Sequence, residues 1–437
     1  MLSQTHYPRI MKSRSYHNFK INIMPISSES MNEIKYLPDD TQCKFCYPRK
    51  KREKGVHRLV DSYHSLFPIV EKFTFLNHAA TAPASLRVAS ALKDAAESFS
   101  RFGGLHYPRW MNKVREVRSL VARLINASPS EIAFTGNTSD GLSLVASSIS
   151  WQPGDEILIT YPDFPANIYP WLNLERLGVK VSHIERKDDG SFSLDDIDKK
   201  MSPRLRLISV SSVDFSTGFH CNLRELGKFC RENGIFLCVD AIQSLGVIPM
   251  DVKEFGIDFL ASGSHKWLQS IPGTGILYVS DDIAQRLVPS KIGWKSVVNE
   301  EDFTIHFDLK PNAQRFEPGT MNFAGIYALG AALELIFEVG IDNIRRRILE
   351  LNELLYHGLI DRNLKVVSSM NEENRSGILS FLPGNDSEQL YQFFIKNSVI
   401  VSLRAGKIRV SPNFYNNETD IQNFFSVLDE YLTTTRA

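Results

Sequence analysis

The chain has 437 residues, 43% of them hydrophobic and 23% charged, and its 50 basic and 50 acidic residues give a formal net charge of zero. This composition is typical of a globular protein. The neutral balance argues against nucleic acid or an anionic membrane as the main partner, because both attract a basic surplus. No apolar run reaches the length of a membrane span. Five cysteines do not make a disulfide framework in so long a chain, which favours a reducing compartment, and we expect the cytoplasm.

Residues 1–60 differ from the rest of the chain. They lack a helical or strand period, contain the basic run PRKKREK, and have no acidic residue before Glu29. We expect a disordered N-terminal extension. A mitochondrial transit peptide is the alternative, because such peptides are basic and poor in acids.

A CKFC pair within this extension suggests zinc ligands. Cys43 and Cys46 are followed by His57 and His64, but these intervals do not fit the usual finger spacing. We therefore predict no metal site.

From residue 130 to 280, short apolar runs alternate with helix-like segments. The predicted strands are 131–136, 156–161, 205–213 and 235–241, with two further strand-like pieces at 258–266 and 275–281, and the predicted helices are 139–149 and 223–234. Nearly continuous apolar strands are typical of a buried parallel sheet. The alternation predicts an α/β fold with an open, mostly parallel sheet, in a large domain at 61–310.

The pattern changes after about residue 310. Two long amphipathic helices are predicted at 326–340 and 341–360, followed by short strands at 376–383, 399–404 and 407–412. We expect a smaller α+β domain at 311–437.

Lys266 lies in the segment SGSHKWL, on a Ser- and Gly-rich turn between two predicted strands. Ligands of open α/β sheets gather beyond the strand ends, and the turn carrying Lys266 is such a place. A lysine that forms an imine needs a partly desolvated pocket. A solvated surface lysine is the alternative.

Two further segments suggest the same ligand. Asp240 ends a buried apolar strand in VDAIQSLG, where it could cap a helix or hold a ring nitrogen protonated. The segment TGNTSDG opens a helix with hydroxyls and backbone N–H groups, which serve either as caps or as a phosphate site. A phosphate cradle, a carboxylate and an imine-forming lysine are together what pyridoxal 5′-phosphate (PLP) requires.

The order and wording of VDAIQSLG and SGSHKWL resemble the class V aminotransferases of PLP-dependent fold type I, a superfamily that includes cysteine desulfurases, kynureninases and isopenicillin N epimerases. The resemblance covers roughly residues 70–432. It implies a seven-stranded, mostly parallel sheet in the large domain and a small C-terminal α+β domain. It also implies a PLP enzyme acting on a small amino acid.

The resemblance assigns the cofactor residues. Lys266 corresponds to the imine-forming lysine, Asp240 to the partner of the ring nitrogen, Gln243 to the residue facing the phenolic oxygen, and Phe164 to the ring stacked on the cofactor. Core packing is the alternative role for Phe164. The remaining implied cofactor contacts are Asn137, Thr138, Ser139, Ser262 and His265, and from the neighbouring subunit Gly319 and Thr320.

The substrate residues come from both ends of the chain. Arg409 corresponds to the arginine that binds the substrate α-carboxylate, and Arg404 either assists it or forms a surface pair. Asn77 and His78, in FLNHAATAP, line the pocket in this family, although His78 could be a structural histidine. The shared sites imply a homodimer.

Departures from the family pattern bear on the reaction. Desulfurases carry a persulfide-forming cysteine on a loop between the positions of Arg404 and Arg409. Here only AGKI separates these arginines, and no cysteine follows Cys238. We therefore expect an aminotransferase, with a lyase or epimerase of the same superfamily as the alternative and a desulfurase less favoured. An inactive PLP-binding partner protein is the non-enzyme alternative.

Overall fold

The computed structural model describes residues 63–302, 304–384 and 386–436, which all lie in one compact unit that begins at residue 50. The predicted extension at 1–60, with Cys43, Cys46 and His57, lies outside the described residues. His64 lies within them, and its ring Nδ1 is 2.9 Å from the carbonyl oxygen of Tyr415.

The strands, in chain order, are β1 (Thr74–Phe75), β2 (Ile132–Thr135), β3 (Glu156–Tyr161), β4 (Lys180–Glu185), β5 (Leu205–Ser211), β6 (Phe236–Asp240), β7 (Phe259–Gly263), β8 (Gly275–Val279), β9 (Lys365–Val366), β10 (Leu379–Leu382), β11 (Val399–Ile400), β12 (Ser402–Arg404) and β13 (Lys407–Val410). The α-helices are α1 (Leu86–Phe102), α2 (Tyr107–Leu124), α3 (Thr138–Ser148), α4 (Tyr169–Leu172), α5 (Leu194–Asp198), α6 (Leu223–Glu232), α7 (Asp281–Ala284), α8 (Phe323–Val339), α9 (Ile341–Asp361), α10 (Ser387–Lys396) and α11 (Glu418–Arg436). Short 3₁₀ helices lie at Pro68–Glu71, Gly103–His106, Pro129–Glu131, Pro165–Asn167, Asn173–Leu177 and Ala313–Phe316.

A seven-stranded sheet dominates the described part of the chain. Its order is β2-β8-β7-β6-β5-β3-β4, and β8 runs antiparallel to both of its neighbours while the other pairs are parallel. The α/β fold with a mostly parallel seven-stranded sheet is thus confirmed. The central strands are nearly continuous apolar runs because helices cover both faces of a parallel sheet.

The C-terminal part builds a second sheet of order β12-β13-β10-β9. Its own hydrophobic core begins at Leu351 in the second half of α9 and also includes Leu76 from the N-terminal side. Strand β1 pairs with β11 in parallel, with Thr74 opposite Val399. Helix α8 lies beyond residue 310, yet it packs in the core of the large sheet, with Phe323 and Ile326 buried there. The division at residue 310 stays a prediction.

No single helix in the described ranges is long and apolar enough to cross a membrane. Helices α8 and α9 satisfy the length and hydropathy requirements only as a pair, and their axes meet at 78°.

Candidate active site

The site lies where the parallel strands end. Strands β3, β5, β6 and β7 run parallel in the sheet, so the loops after them meet at one edge. The loops carry Phe164, Phe215 and Lys266, and Asp240 is the last residue of β6. The sheet topology therefore brings residues more than 100 positions apart into one pocket.

Asp240 is the last residue of β6 and is 2% exposed. Its Oδ1 accepts the backbone N–H of Ile242 at 3.0 Å. Burial raises the pKa of this carboxyl well above its usual range, and the nearby charge of Asp163 raises it further. A cationic partner at this position would restore the ionised form.

Lys266 lies beyond β7, and its Nζ is 5.5 Å from the centre of the Phe164 ring. Burial lowers the pKa of this amine, and the positive charges of Arg409 and Arg404 lower it further, while Asp240 acts in the opposite direction. The Phe164 ring is 37% exposed and meets Phe215 edge to face at 5.5 Å. The Phe164 ring is therefore partly exposed beside the lysine.

Both polar atoms of the Gln243 side-chain amide form hydrogen bonds. Its Nε2 donates to the carbonyl of Ala79 at 3.0 Å, and its Oε1 accepts the indole N–H of Trp267 at 2.8 Å. Gln243 and Trp267 are both buried. The tryptophan that follows Lys266 thus fixes the orientation of the glutamine.

The predicted phosphate cradle is the N-terminus of α3. Asn137 caps the helix through its side chain, and Ser139 is exposed in the first turn. Thr138 is buried, and its hydroxyl accepts the backbone N–H of Gly263 at 2.8 Å. Asp140 occupies the same turn, paired with Lys291.

The neighbouring turn before Lys266 supplies the other two predicted contacts. Ser262 is buried and donates its hydroxyl to the carbonyl of Gly263 at 3.0 Å. His265 is half-buried, and burial lowers the pKa of its imidazole, helped by the charge of Lys266.

Arg409 is the most buried cation of the site, at 1% exposure. Its Nη1 donates to the carbonyl of Phe215 at 2.6 Å and its Nη2 to the hydroxyl of Ser402 at 3.3 Å, but its Nε has no partner. Burial lowers the pKa of this guanidinium to about 9. Within the described ranges, no carboxylate lies at ion-pairing distance from Arg409.

The other predicted substrate residues divide into two groups. Asn77 is half-buried, and its Oδ1 accepts the hydroxyl of Ser402, which places it beside Arg409. His78 is fully buried, and its two ring nitrogens bond the carbonyl of Ser411 and the hydroxyl of Tyr415, at 2.9 and 2.6 Å. Both ring nitrogens of His78 thus have hydrogen-bond partners within the protein. This arrangement agrees with the structural role that the sequence left open as the alternative.

Gly319 and Thr320 follow the buried ion pair between Glu317 and Arg118. Thr320 is exposed, and Gly319 lies against the ring of Trp294. Their role toward a neighbouring subunit stays a prediction.

Sequence reasoning missed a buried polar network behind Phe164. Asp163 accepts the N–H of Phe164 at 2.7 Å and the hydroxyl of Ser211 at 2.8 Å, and it pairs with Arg186 at 3.2 Å. Arg186 also lies 3.9 Å from Asp214, which caps the turn that carries Phe215. The network sets the positions of both phenylalanines. The sequence signal for this network was Asp163, an acidic residue that follows the end of the apolar strand β3.

The described residues fit the PLP that the resemblance implies. The Asp240 carboxylate is buried without a cationic partner at ion-pairing distance within the described chain, as a protonated ring nitrogen requires. Lys266 has a lowered pKa, and the ring of Phe164 beside it is partly exposed. The α3 N-terminus offers N–H groups to a phosphate.

Comparison with known proteins agrees with this geometry. The family model "Aminotransferase class-V" matches residues 74–424. A relative named "Probable cysteine desulfurase" from Methanothermobacter thermautotrophicus is 28% identical over 386 residues, covering 83% of this chain and 96% of its own length.

Solved structures share the fold. The apo structure of a cysteine desulfurase from Thermococcus onnurineus NA1 has a TM-score of 0.80 and 27% identity, covering 86% of this chain and 98% of its own. A C-DES variant with glycine covalently linked to its PLP cofactor has a TM-score of 0.79 and 21% identity, covering 84% and 98%. The chain belongs to the class-V aminotransferase family and is a PLP-dependent enzyme.

Proposed function

We propose that this enzyme transfers the α-amino group of a small amino acid. The observation that carries the proposal is Arg409, a buried guanidinium with an unused Nε–H and no carboxylate at ion-pairing distance among the described residues. Such an arginine is suited to bind a planar α-carboxylate through two parallel hydrogen bonds. Arg409 donates to the carbonyl of Phe215, whose ring contacts Phe164, the ring beside Lys266. A carboxylate bound to Arg409 therefore lies on the side of the site that holds the lysine.

Lys266 is the base in this proposal. Its lowered pKa makes the neutral amine accessible near neutral pH, and its Nζ can then take the proton from the substrate Cα. PLP, when bound, supplies the conjugated ring that accepts the electron pair left on Cα. Asp240 keeps a ring nitrogen protonated, and Phe164 excludes water from one side.

We favour transamination over racemisation because Lys266 is the base that we assign, while His265, the other neutral base among the described residues of the site, is a predicted cofactor contact. The charges that act on Lys266 are those of Arg409, Asp240 and Arg404. The two arginines stay protonated near neutral pH and cannot act as bases, and we assign Asp240 to the ring nitrogen. One base suffices to move a proton along one face, whereas racemisation requires the proton to return to Cα on the opposite face.

Desulfuration through a cysteine on the Arg404–Arg409 hairpin is not supported. The turn there consists of Ala405 and Gly406. Among the described residues the cysteines are all buried, and burial raises the pKa of Cys221 and Cys230 to about 12. A nucleophilic thiolate requires the opposite shift.

We expect the enzyme to act as a homodimer. Trp294, which lies beside Gly319 of the predicted cross-subunit segment, is 44% exposed, and Ile305 and Phe307 further along the chain are 102% and 70% exposed. Exposed large apolar side chains are typical of a protein interface when they form a patch. Light scattering of the purified protein would give twice the mass of 49.6 kDa.

Product analysis tests the reaction. The PLP-loaded protein is incubated with a panel of L-amino acids and 2-oxo acids, and products are identified by mass spectrometry. We expect one 2-oxo acid to form for each amine transferred to the acceptor. Ammonia release without acceptor amination would favour a lyase, a D-amino acid an epimerase, and alanine with sulfide a desulfurase; each would refute transamination.

A further inference from the structure

Arg404 lies on the same face of the C-terminal sheet as Arg409. Strands β12 and β13 are antiparallel, with Ser402 opposite Arg409 and Arg404 opposite Lys407. Directly opposed residues share a face, and residues two apart along a strand share it too. Arg404 is therefore the diagonal neighbour of Arg409, at a Cβ separation of about 7–8 Å.

The tight turn fixes this placement. Ala405 and Gly406 both have left-handed backbones, at φ 47° and 75°, as a two-residue type I′ hairpin requires. A turn of this length permits one register, so Arg404 cannot shift along β13 without breaking the strand pairing. The short turn thus keeps the two guanidiniums adjacent.

The shared face looks toward the loop after β5. Ser380 lies opposite Arg409 on β10, and its hydroxyl donates to the carbonyl of Ser216 at 2.6 Å. Arg409 itself donates to Phe215 in the same loop. Arg404 therefore points to the side where Phe215 and Lys266 lie, and its charge lowers the pKa of Lys266.

Neither arginine forms an ion pair in the part of the protein that the structure describes, and the charge of Asp214 acts on Arg409 only from a longer distance. Arg404 is half-buried, and its Nη1 donates to the carbonyl of Leu403 at 2.8 Å, with no carboxylate at ion-pairing distance. Two adjacent guanidiniums repel each other, and burial strengthens the repulsion. A substrate α-carboxylate bound to Arg409 compensates one of the two positive charges. The charge of Arg404 then still lacks a bound anion.

We propose that Arg404 binds a second acidic group on the substrate, so that the substrate is a small amino acid with an anionic side chain. This inference rests on the proposed function, since it takes Arg409 as the site of the α-carboxylate. The diagonal spacing of the arginines suits two acidic groups joined by a short carbon chain. An uncharged side chain would leave Arg404 unpaired next to a bound ligand.

The test compares L-aspartate with L-asparagine, which differ in one charge and little in shape. The visible absorption of the PLP-loaded protein is titrated with each, and half-saturating concentrations are compared. A charge-assisted hydrogen bond supports a preference for L-aspartate of roughly 10- to 100-fold. The Arg404→Gln variant should lose this preference, because its response to L-aspartate should weaken far more than its response to L-asparagine or L-alanine.

Lys407→Gln is the matched control, because it removes a positive charge directly opposite Arg404 on the same hairpin. We expect this variant to keep the preference for L-aspartate. An equal response of the wild type to the two amino acids, or an equal loss in both variants, would overturn the role of Arg404 and leave the proposed function standing. Failure of the protein to bind PLP would overturn both.

Discussion

The indole Nε1 of Trp267 donates to the Oε1 of Gln243 at 2.8 Å, and both side chains are buried. The residue directly after Lys266 therefore holds the amide predicted to face the cofactor. Because Oε1 is occupied by the indole, the amide nitrogen is directed toward the carbonyl of Ala79. The adjacent residues Lys266 and Trp267 thus have linked roles: the lysine is the predicted imine-forming amine, and the tryptophan orients Gln243.

Replacing Trp267 with phenylalanine removes this donor and leaves Gln243 Oε1 unsatisfied. We expect the free energy of unfolding to fall by about 1–3 kcal/mol, and kcat to fall because the amide can then rotate. Urea unfolding and steady-state kinetics measure the two effects.

Trp151→Phe is the control, since it also removes an indole donor, whose partner is the backbone carbonyl of Ala146 at 2.7 Å rather than Gln243. It should reduce stability without lowering kcat. Equal losses of kcat in the two variants would contradict a positioning role for Trp267.

The lowered pKa of Lys266 predicts unusual reactivity in the cofactor-free protein. The neutral amine reacts with acylating reagents, so modification of Lys266 should persist to lower pH than that of surface lysines. Arg409→Met removes a positive charge and should move the Lys266 profile to higher pH. Peptide mass spectrometry after brief labelling at several pH values gives the profile.

Asp240→Asn should shift the same profile in the opposite direction, because Asp240 raises the pKa of Lys266. Identical profiles in the wild type and both variants would show that these charges do not act on the amine.

Much of the fold can be predicted from the sequence, because strands that are buried on both faces of a sheet appear as continuous apolar runs in the local sequence. Strand β3 matches the predicted 156–161, and β6 lies within the predicted 235–241. The packing of α8 on the large sheet was not predictable from its helical period, since that period is the same whichever core the helix joins.

The candidate site likewise has residues that the sequence predicts and contacts that it does not. Asp240 and Lys266 occur in local motifs, and strand ends locate them. The pair of Asp163 with Arg186 joins residues 23 positions apart, and the partners of His78 lie more than 330 positions away. Only tertiary contacts decide whether such a histidine is structural.

Arg409 should govern substrate affinity more than stability. Arg409→Met removes a buried, unneutralised charge, so the unfolding free energy should stay the same or rise. The half-saturating substrate concentration should increase about 100-fold, because the carboxylate loses its partner. Arg409→Lys keeps the charge without the planar fork and should recover only part of the affinity. Unchanged affinity in both variants would place the carboxylate elsewhere.

His78 should make the protein acid-sensitive. Burial lowers its pKa from 6.5 to about 4, so between these values the unfolded chain binds a proton that the folded protein does not. Stability is then complete above pH 6.5 and lost as the pH falls, by about 2 kcal/mol at pH 5. Urea unfolding at pH 7 and pH 5 measures the loss.

His78→Gln should be less stable at pH 7 and should show a smaller loss on acidification. Exposed His357→Gln should keep the wild-type difference between the two pH values. Burial lowers the pKa of His220 to about 4 as well, so part of the loss should remain; a loss in His78→Gln as large as in the wild type would show that His78 does not contribute.

The visible absorption spectrum of the PLP-loaded protein, titrated with L-amino acids, tests the central claim most directly. We predict a visible band that requires Lys266, that one amino acid removes, and that a 2-oxo acid restores, since the amino group is then transferred and returned. A protein that binds no PLP, or a band that returns without any 2-oxo acid while ammonia accumulates, would contradict the account.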